Sequence, residues 1–159
     1  LDSLTPAPFL AHKKTLLDIG SGAGFPGIPL KIVLPHLEVT LMDSVNKKVV
    51  FMKHIIRTLG LEQIDAIHAR GEDSAVIKKF GSSFDVVTSR AFAELGKFLE
   101  ITAPYTKKEG ILLALKGPKG IEEVKALKQL KDVEYVEDIE VKLPFTDMVT
   151  TILIFKKIG

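Results

Sequence analysis

Short apolar runs alternate with longer amphipathic segments along most of the chain, a pattern typical of strands that alternate with helices. The apolar runs predict five strands, at 15–19, 38–43, 64–69, 84–89 and 111–115. The segments between and after them predict helices over 27–34, over 44–60, in the polar stretch after residue 69, over 95–103 and over roughly 119–131. Ser44 is the expected cap of the second helix, and Gly60 its expected end.

Two further extended stretches, 134–143 and 149–156, close the chain without a helix between them, so we expect them to pair antiparallel. The sequence therefore predicts one α/β domain over residues 1–159, with a doubly wound, mostly parallel sheet and a C-terminal antiparallel hairpin. Ligands of such sheets bind beyond the carboxyl ends of the strands. This rule selects the residues that follow each strand, namely Gly20 to Gly27, Asp43, Arg70 to Glu72, Ser89 to Phe92, and Lys116 to Gly117.

The glycine-rich segment GSGAGFPG, residues 20–27, is the densest of these candidates. Gly20, Gly22 and Gly24 allow a tight turn and let a ligand approach the backbone closely. Four glycines among eight residues favour a ligand-binding loop over an ordinary strand-to-helix turn.

The residues around these glycines discriminate between possible cofactors. The frame at 22–27 matches a dinucleotide fingerprint, but Pro26 and Pro29 remove backbone amides that a pyrophosphate would need. Asp18 at the end of the first strand would repel a pyrophosphate and suits a cation. The ammonium and sulfonium groups of S-adenosylmethionine therefore make that cofactor the preferred interpretation over NAD.

Two other acidic residues follow strands. Asp43 is placed to accept hydrogen bonds from both hydroxyls of a ribose, and its alternative role is to cap the helix that begins near Ser44. Glu72 can accept a hydrogen bond from an adenine amino group, or it can simply mark the start of a helix.

Two basic residues follow the fourth and fifth strands. Arg90 can bind a guanine edge, a phosphate or the carboxylate of the cofactor, and the structural alternative is an ion pair with Glu94. Lys116 is a candidate for contact with RNA phosphates, or it reaches solvent. The basic residues on the helix after Asp43 are interpreted first as a solvated face, although an RNA enzyme would use some of them as phosphate contacts.

Composition narrows the possible chemistry. The absence of cysteine excludes disulfides, thiolate metal sites and a cysteine nucleophile, such as methylation at carbon 5 of a pyrimidine requires. The four histidines show no ligand spacing, so no metal is predicted. No apolar run approaches the ~20 residues that span a bilayer, and a cytoplasmic setting fits this composition. A net charge of +2 permits an anionic partner without requiring one.

The segments LLDIGSGAGFPGIPL, VTLMDSVNKKVVFM, ARGED, FDVVTSRAF and LLALKG resemble, in order, the bacterial RsmG (GidB) family of ribosomal RNA methyltransferases. The resemblance implies a Rossmann-like class I methyltransferase fold, S-adenosylmethionine as cofactor, and a 7-methylguanosine product in the 530 loop of the 16S rRNA of the small ribosomal subunit. It also implies that Gly20 and Phe25 contact the cofactor, that Gly71 and Glu72 lie at its adenine end, and that Arg90 lines the site beside the methyl donor.

Members of this family usually carry a helical segment before the LDSL stretch with which this sequence opens, and that segment is expected to help close the site and contact RNA. We therefore expect residues 1–159 to form the methyltransferase domain without this helical segment. We expect the protein to be a monomer.

Guanine N7 has a free lone pair and no proton, so the reaction needs positioning and no general base. The alternatives are a methyltransferase acting on a small molecule, an NAD-dependent oxidoreductase, and a cofactor-binding module without catalysis.

Overall fold

The computed structural model describes residues 2–128 and 131–159. The chain begins with a 3-10 helix, Asp2–Leu4, and the short helix α1, Ala7–Leu10. The strands are β1 Thr15–Ile19, β2 Glu38–Asp43, β3 Ile64–His68, β4 Phe84–Ser89, β5 Thr106–Lys116, β6 Val133–Lys142 and β7 Val149–Lys157. The remaining helices are α2 Gly27–Val33, α3 Asn46–Thr58, α4 Ser74–Phe80, α5 Leu95–Thr102 and α6 Gly120–Ala126, with a second 3-10 helix at Ala103–Tyr105.

The seven strands form one sheet in the order β3-β2-β1-β4-β5-β7-β6. Neighbours among β1 to β5 run parallel, whereas β7 is antiparallel to both β5 and β6. Since β1 pairs with β2 on one side and β4 on the other, the strand order reverses there and creates the switch point at which ligands of such sheets bind. The predicted fold class is confirmed.

Both faces of the sheet are buried, which explains why its central strands read as continuous apolar runs. Successive residues of a strand point to opposite faces. Accordingly, Leu16 lies in one core cluster and Leu17 in another, and Val86 and Val87 divide in the same way. Helices α2 and α3 contribute to the first cluster and α5 to the others. The fixed sheet core thus holds the loops at its carboxyl edge.

Three predicted boundaries need correction. The fifth strand begins at Thr106, five residues before the apolar run, because Thr106 also pairs with Phe84 of β4, before a register shift. The helix predicted over 119–131 covers only Gly120–Ala126, since Leu127 is already extended; residues 129–130 lie outside the described residues. Helix α3 begins at Asn46 after an extended Val45, so the prediction that Ser44 caps it is wrong.

Candidate cofactor and substrate site

The loop between β1 and α2 has the backbone geometry that only glycine adopts easily. Gly20, Gly22 and Gly24 have φ values of +72°, +60° and +97°. The amide of Gly20 donates to the carbonyl of Met42 on β2 at 2.7 Å. A Cβ at Gly20 would overlap the Cβ of Ala91, so this loop lies directly against the loop after β4.

Asp18 on β1 is fully buried beneath the glycine loop. Its Oδ2 accepts a hydrogen bond from the amide of Gly27 at 3.0 Å, which fixes the start of α2. Its Oδ1 is buried without a hydrogen-bond partner among the described residues. Burial raises the pKa of Asp18 to about 8, although the amide of Gly27, Ser21 and the charge of Arg90 oppose this increase. One oxygen of this fully buried carboxyl group therefore has no donor among the described residues.

Asp43 at the end of β2 binds the other side of the same loop. Its Oδ2 accepts from the amide of Gly22 at 2.9 Å, and its Oδ1 accepts from the amide of Val45 at 2.9 Å. The predicted alternative, a contact at the start of α3, is therefore present in part. Each carboxylate oxygen has two lone pairs, so Asp43 retains the capacity to accept donors from a ligand.

A cavity of about 260 Å³, the glycine-loop cavity, opens where β1 to β4 end. Its lining includes four of the residues predicted for the site, Gly20, Asp43, Gly71 and Glu72, together with Ala91 and Phe92. The sequence rule that selected residues after strands thus collects them around one cavity.

Gly71 is held in the wall of this cavity by buried neighbours. The hydroxyl of Tyr105 donates to its carbonyl at 2.7 Å, and a Cβ at Gly71 would lie 2.7 Å from Cγ2 of Ile101. Burial raises the pKa of Tyr105 to about 12, which keeps the phenol a donor. Glu72, the next residue, is exposed at the cavity rim.

Phe25 and Phe92 differ in exposure. Phe25 in the glycine loop is 51% exposed, whereas Phe92 lines the glycine-loop cavity and packs against two core clusters. Phe25 is therefore the aromatic residue of the glycine loop that a ligand could contact.

Arg90 follows β4 and lines a second cavity of about 460 Å³, the Arg90 cavity. Its Nη2 lies 2.6 Å from Oδ2 of Asp2, so the predicted alternative partner Glu94 is replaced by Asp2. Ser89 holds the end of β4 to β1, since its hydroxyl donates to the carbonyl of Ile19 at 2.6 Å and accepts from the amide of Ala91. Arg90 consequently projects from a fixed point of the switch region.

Lys116 lines the Arg90 cavity from the end of β5, but its ammonium already has several partners. Nζ donates to the carbonyl of Ala93 at 2.8 Å and lies 3.1 Å from Oε2 of Glu123, and only 10% of the side chain is exposed. Glu123 also accepts from the amide of Leu95 at 3.0 Å. These bonds brace the loop after β4. Phosphate contact by Lys116 stays a prediction that this arrangement does not favour.

Asp2 and Thr150 are the residues that the sequence reasoning missed. Asp2 forms an ion pair with Arg90. It also accepts a hydrogen bond from the hydroxyl of Thr150, which lies 148 positions away in the sequence. The LDSL stretch carries no motif that predicts a role for Asp2. No local pattern links Asp2 to β7, since the sheet topology creates that contact.

The described residues contain no candidate metal centre and no helix that could cross a membrane. In residues 2–128 and 131–159, no group of three or more histidine or acidic side chains is placed to hold a metal ion. Across the same residues, every helix is too short or too polar to cross a membrane.

The sheet is that of the class I methyltransferase fold, because β7 lies between β5 and β6 and runs antiparallel to both. A glycine loop after β1 and an acidic residue at the end of β2 agree with this fold. A solved structure of a predicted O-methyltransferase from Agrobacterium tumefaciens matches it with a TM-score of 0.77 at 18% identity, covering 99% of this chain and 81% of that one. The TYW2 structure from Pyrococcus horikoshii in complex with MeSAdo matches with a TM-score of 0.74 at 13% identity, covering 98% of this chain and 61% of that one.

The chain belongs to the GidB family, described as rRNA small subunit methyltransferase G, whose family model matches residues 1–147. The ribosomal RNA small subunit methyltransferase G of Lactobacillus helveticus is 40% identical to this chain, and the match covers 99% of this chain and 68% of that protein. The family predicted from the sequence is therefore confirmed.

Proposed function

We propose that this chain transfers a methyl group from S-adenosylmethionine to N7 of a guanine in the 530 loop of 16S rRNA, in the small ribosomal subunit. The observation that carries the proposal is the glycine-loop cavity, in a chain of the rRNA small subunit methyltransferase G family. We expect this cavity to take the adenosine end of the cofactor, because its lining includes the carboxylates of Asp43 and Glu72. We expect the enzyme to act in the cytoplasm, as a monomer and without a metal.

The backbone amides of the glycine loop argue against NAD. A pyrophosphate at a helix N-terminus needs free amides. Here Pro26 has none, and the amides of seven residues already donate within the protein, namely Gly20, Ser21, Gly22, Gly24, Phe25, Gly27 and Ile28. The loop therefore suits a ligand that needs close backbone approach and a nearby carboxyl group.

The chain's own residues fit S-adenosylmethionine at specific atoms. Asp43 would accept from the ribose hydroxyls, and Glu72 at the cavity rim from the adenine amino group. The buried Oδ1 of Asp18, which has no partner among the described residues, would accept from the ammonium group. Gly20, Gly22 and Gly24 give the ligand access to the backbone, while Phe25 offers an exposed ring.

The catalytic contribution of the protein is positional. Bound S-adenosylmethionine supplies an activated methyl group, and guanine N7 supplies a lone pair without losing a proton, so no general base is required. Arg90, the proposed catalytic residue, would orient the base or the cofactor carboxylate from the end of β4 through its planar guanidinium. Small-subunit RNA would reach it through the Arg90 cavity.

The test is transfer of labelled methyl groups to small ribosomal subunits from cells that lack the enzyme, with the modified nucleotide mapped by mass spectrometry. We expect label at one guanine of the 530 loop, as 7-methylguanosine. Label elsewhere would contradict the substrate assignment. Binding of NADH in place of S-adenosylhomocysteine would overturn the cofactor assignment.

Asp43→Ala tests the cofactor site, with Asp85→Ala as a matched control. Asp43 accepts hydrogen bonds from the amides of Gly22 and Val45. Asp85 likewise accepts from two backbone amides, those of Lys14 and Thr15, but it lies at the start of β4. We expect Asp43→Ala to weaken S-adenosylhomocysteine binding tenfold or more, about the effect of losing one charge-assisted hydrogen bond. Calorimetric titration should show unchanged affinity for Asp85→Ala. Equal losses in both variants would indicate a structural effect only.

A further inference from the structure

We propose that Asp2 is a positioning residue for methyl transfer: with Thr150, it holds the guanidinium of Arg90 in place and balances its charge in the Arg90 cavity. This inference rests on the proposed function. It adds a residue from the first turn of the chain to a site otherwise built at the carboxyl ends of the strands.

The carboxylate of Asp2 contacts two residues that are far from it in the sequence. Oδ2 of Asp2 lies 2.6 Å from Nη2 of Arg90, and its Oδ1 accepts from the hydroxyl of Thr150. The main-chain carbonyl of Asp2 accepts from both the hydroxyl and the amide of Thr5, at 2.8 and 3.2 Å, which fixes the turn that carries Asp2. One carboxylate therefore joins the first turn, the end of β4 and the start of β7.

The contact with Asp2 also restricts the Arg90 side chain. The Arg90 side chain is 41% exposed, and that of Asp2 is 23% exposed. A long, half-exposed side chain samples many rotamers unless a partner restricts it. Because Thr150 fixes the second oxygen of Asp2, the carboxylate presents a set orientation to Arg90. The guanidinium of Arg90 is then held in one orientation in the wall of the cavity.

The proposed reaction moves a positive charge from the cofactor to the base. Guanine N7 uses its lone pair to form the new bond to the methyl carbon, while the electron pair of the broken sulfur–carbon bond stays on sulfur. The positive charge of the sulfonium thereby passes to the methylated base. An unpaired guanidinium beside the accepting base would disfavour the movement of this charge toward the base.

Both basic residues of the cavity wall are paired with carboxylates, in agreement with this requirement. Arg90 is paired with Asp2, and Lys116 with Glu123 at 3.1 Å. Exposed ion pairs contribute little to the stability of a fold. Asp2 is therefore expected to matter more for the rate of transfer than for stability.

The experiment compares Asp2→Asn, which keeps the shape and removes the charge, with Lys107→Met as a matched control. Lys107 forms an ion pair with Asp85 at 3.0 Å at the opposite end of β4, and the side chains are 44% and 24% exposed, close to the values for Arg90 and Asp2. We expect Asp2→Asn to lower kcat on small subunits about tenfold, with unchanged affinity for S-adenosylhomocysteine. Lys107→Met should retain wild-type kcat, and the two variants should have similar Tm values.

Double variants separate positioning from a structural role. Asp2→Asn combined with Arg90→Met should be no slower than Arg90→Met alone, because Asp2 acts through Arg90. Thr150→Val should lower kcat less than Asp2→Asn does, since the charge pair remains.

Three results would overturn the inference: wild-type kcat in Asp2→Asn, additive effects of the two changes, or a fall in kcat that follows a matching fall in Tm. Absence of transfer by the wild-type enzyme would instead refute the proposed function, so the two failures are distinguishable.

Discussion

The carboxyl group of Asp18 joins a structural contact to a proposed ligand contact. Oδ2 holds the amide of Gly27, while Oδ1 has no partner among the described residues. Burial raises the pKa of this group to about 8, because a buried carboxylate loses its hydration. In the ligand-free protein at neutral pH the group is therefore mostly protonated, and a cationic ligand would favour its charged form.

This pKa makes stability depend on pH in a defined direction. The folded pKa of about 8 exceeds the ordinary value of 3.8, so the folded state binds the proton more tightly. The stabilising contribution is complete below the ordinary value and is lost as pH rises to the folded pKa. Asp18→Asn removes this titration, while the asparagine oxygen can still accept from Gly27.

We therefore expect the free energy of unfolding of the wild type to fall relative to that of Asp18→Asn as pH rises between those two pKa values. The slope should not exceed about 1.4 kcal/mol per pH unit. Urea unfolding of both proteins at several pH values measures it. A difference that stays constant with pH would show that Asp18 does not titrate in this range.

At the scale of elements, the glycine loop and the loop after β4 form one packed unit. Gly20 and Gly22 both have left-handed backbone conformations, at +72° and +60°, but their surroundings differ. A Cβ at Gly20 would overlap Ala91, whereas one at Gly22 would meet nothing within 4 Å. The pair therefore separates backbone strain from loop contact.

Gly22→Ala should lower the free energy of unfolding by about 1 kcal/mol, the penalty for placing an ordinary residue in the left-handed region. Gly20→Ala should lower the free energy of unfolding by roughly 1–3 kcal/mol more than Gly22→Ala does, because overpacking against Ala91 adds to the backbone strain. It should also weaken S-adenosylhomocysteine binding because the loop must move. Chemical unfolding and calorimetric titration of both variants provide the comparison. An equal loss of unfolding free energy in the two variants would show that the contact between Gly20 and Ala91 does not limit the size of the side chain at position 20.

The sequence predicted elements well where burial dictates residue type. Strand β1 is an apolar run buried between two layers, and its bounds agree with the prediction. The start of β5 was missed because TKKEG is polar, and its pairing with β4 depends on the neighbouring strand. Asp43 was placed correctly after β2, but its bonds to Gly22 and Val45 depend on how the loop folds back.

At the scale of the whole molecule, topology creates contacts that no local pattern contains. The first turn and β7 meet at Arg90 only because β7 lies next to β5 in the sheet. The predicted candidates lie at the ends of strands or directly after them, and the sheet therefore brings them to one edge. Asp2 precedes every strand, so the rule that found the other site residues could not include it.

The same edge carries a pair of basic residues suited to RNA phosphates. Lys47 and Lys48 follow Asp43 by four and five residues, in the first turn of α3, and both are exposed. Helix α3 contains no acidic residue, and neither lysine belongs to an ion pair within the described part of the chain. Lys78 and Lys79 are also adjacent and exposed, but they lie in the last turn of α4, at the opposite edge.

If the substrate approaches the carboxyl edge, the first lysine pair should contribute to binding through counterion release and the second should not. Lys47→Ala with Lys48→Ala should reduce the slope of log affinity against log salt concentration by about 1.4 for single-stranded RNA, since each phosphate contact contributes about 0.7. Fluorescence titration with 530-loop RNA over a range of salt concentrations measures this slope. The Lys78→Ala, Lys79→Ala protein has the same change in net charge and should keep the wild-type slope. An equal reduction in both proteins would mean that net charge alone attracts the RNA and that the carboxyl edge is not its docking face.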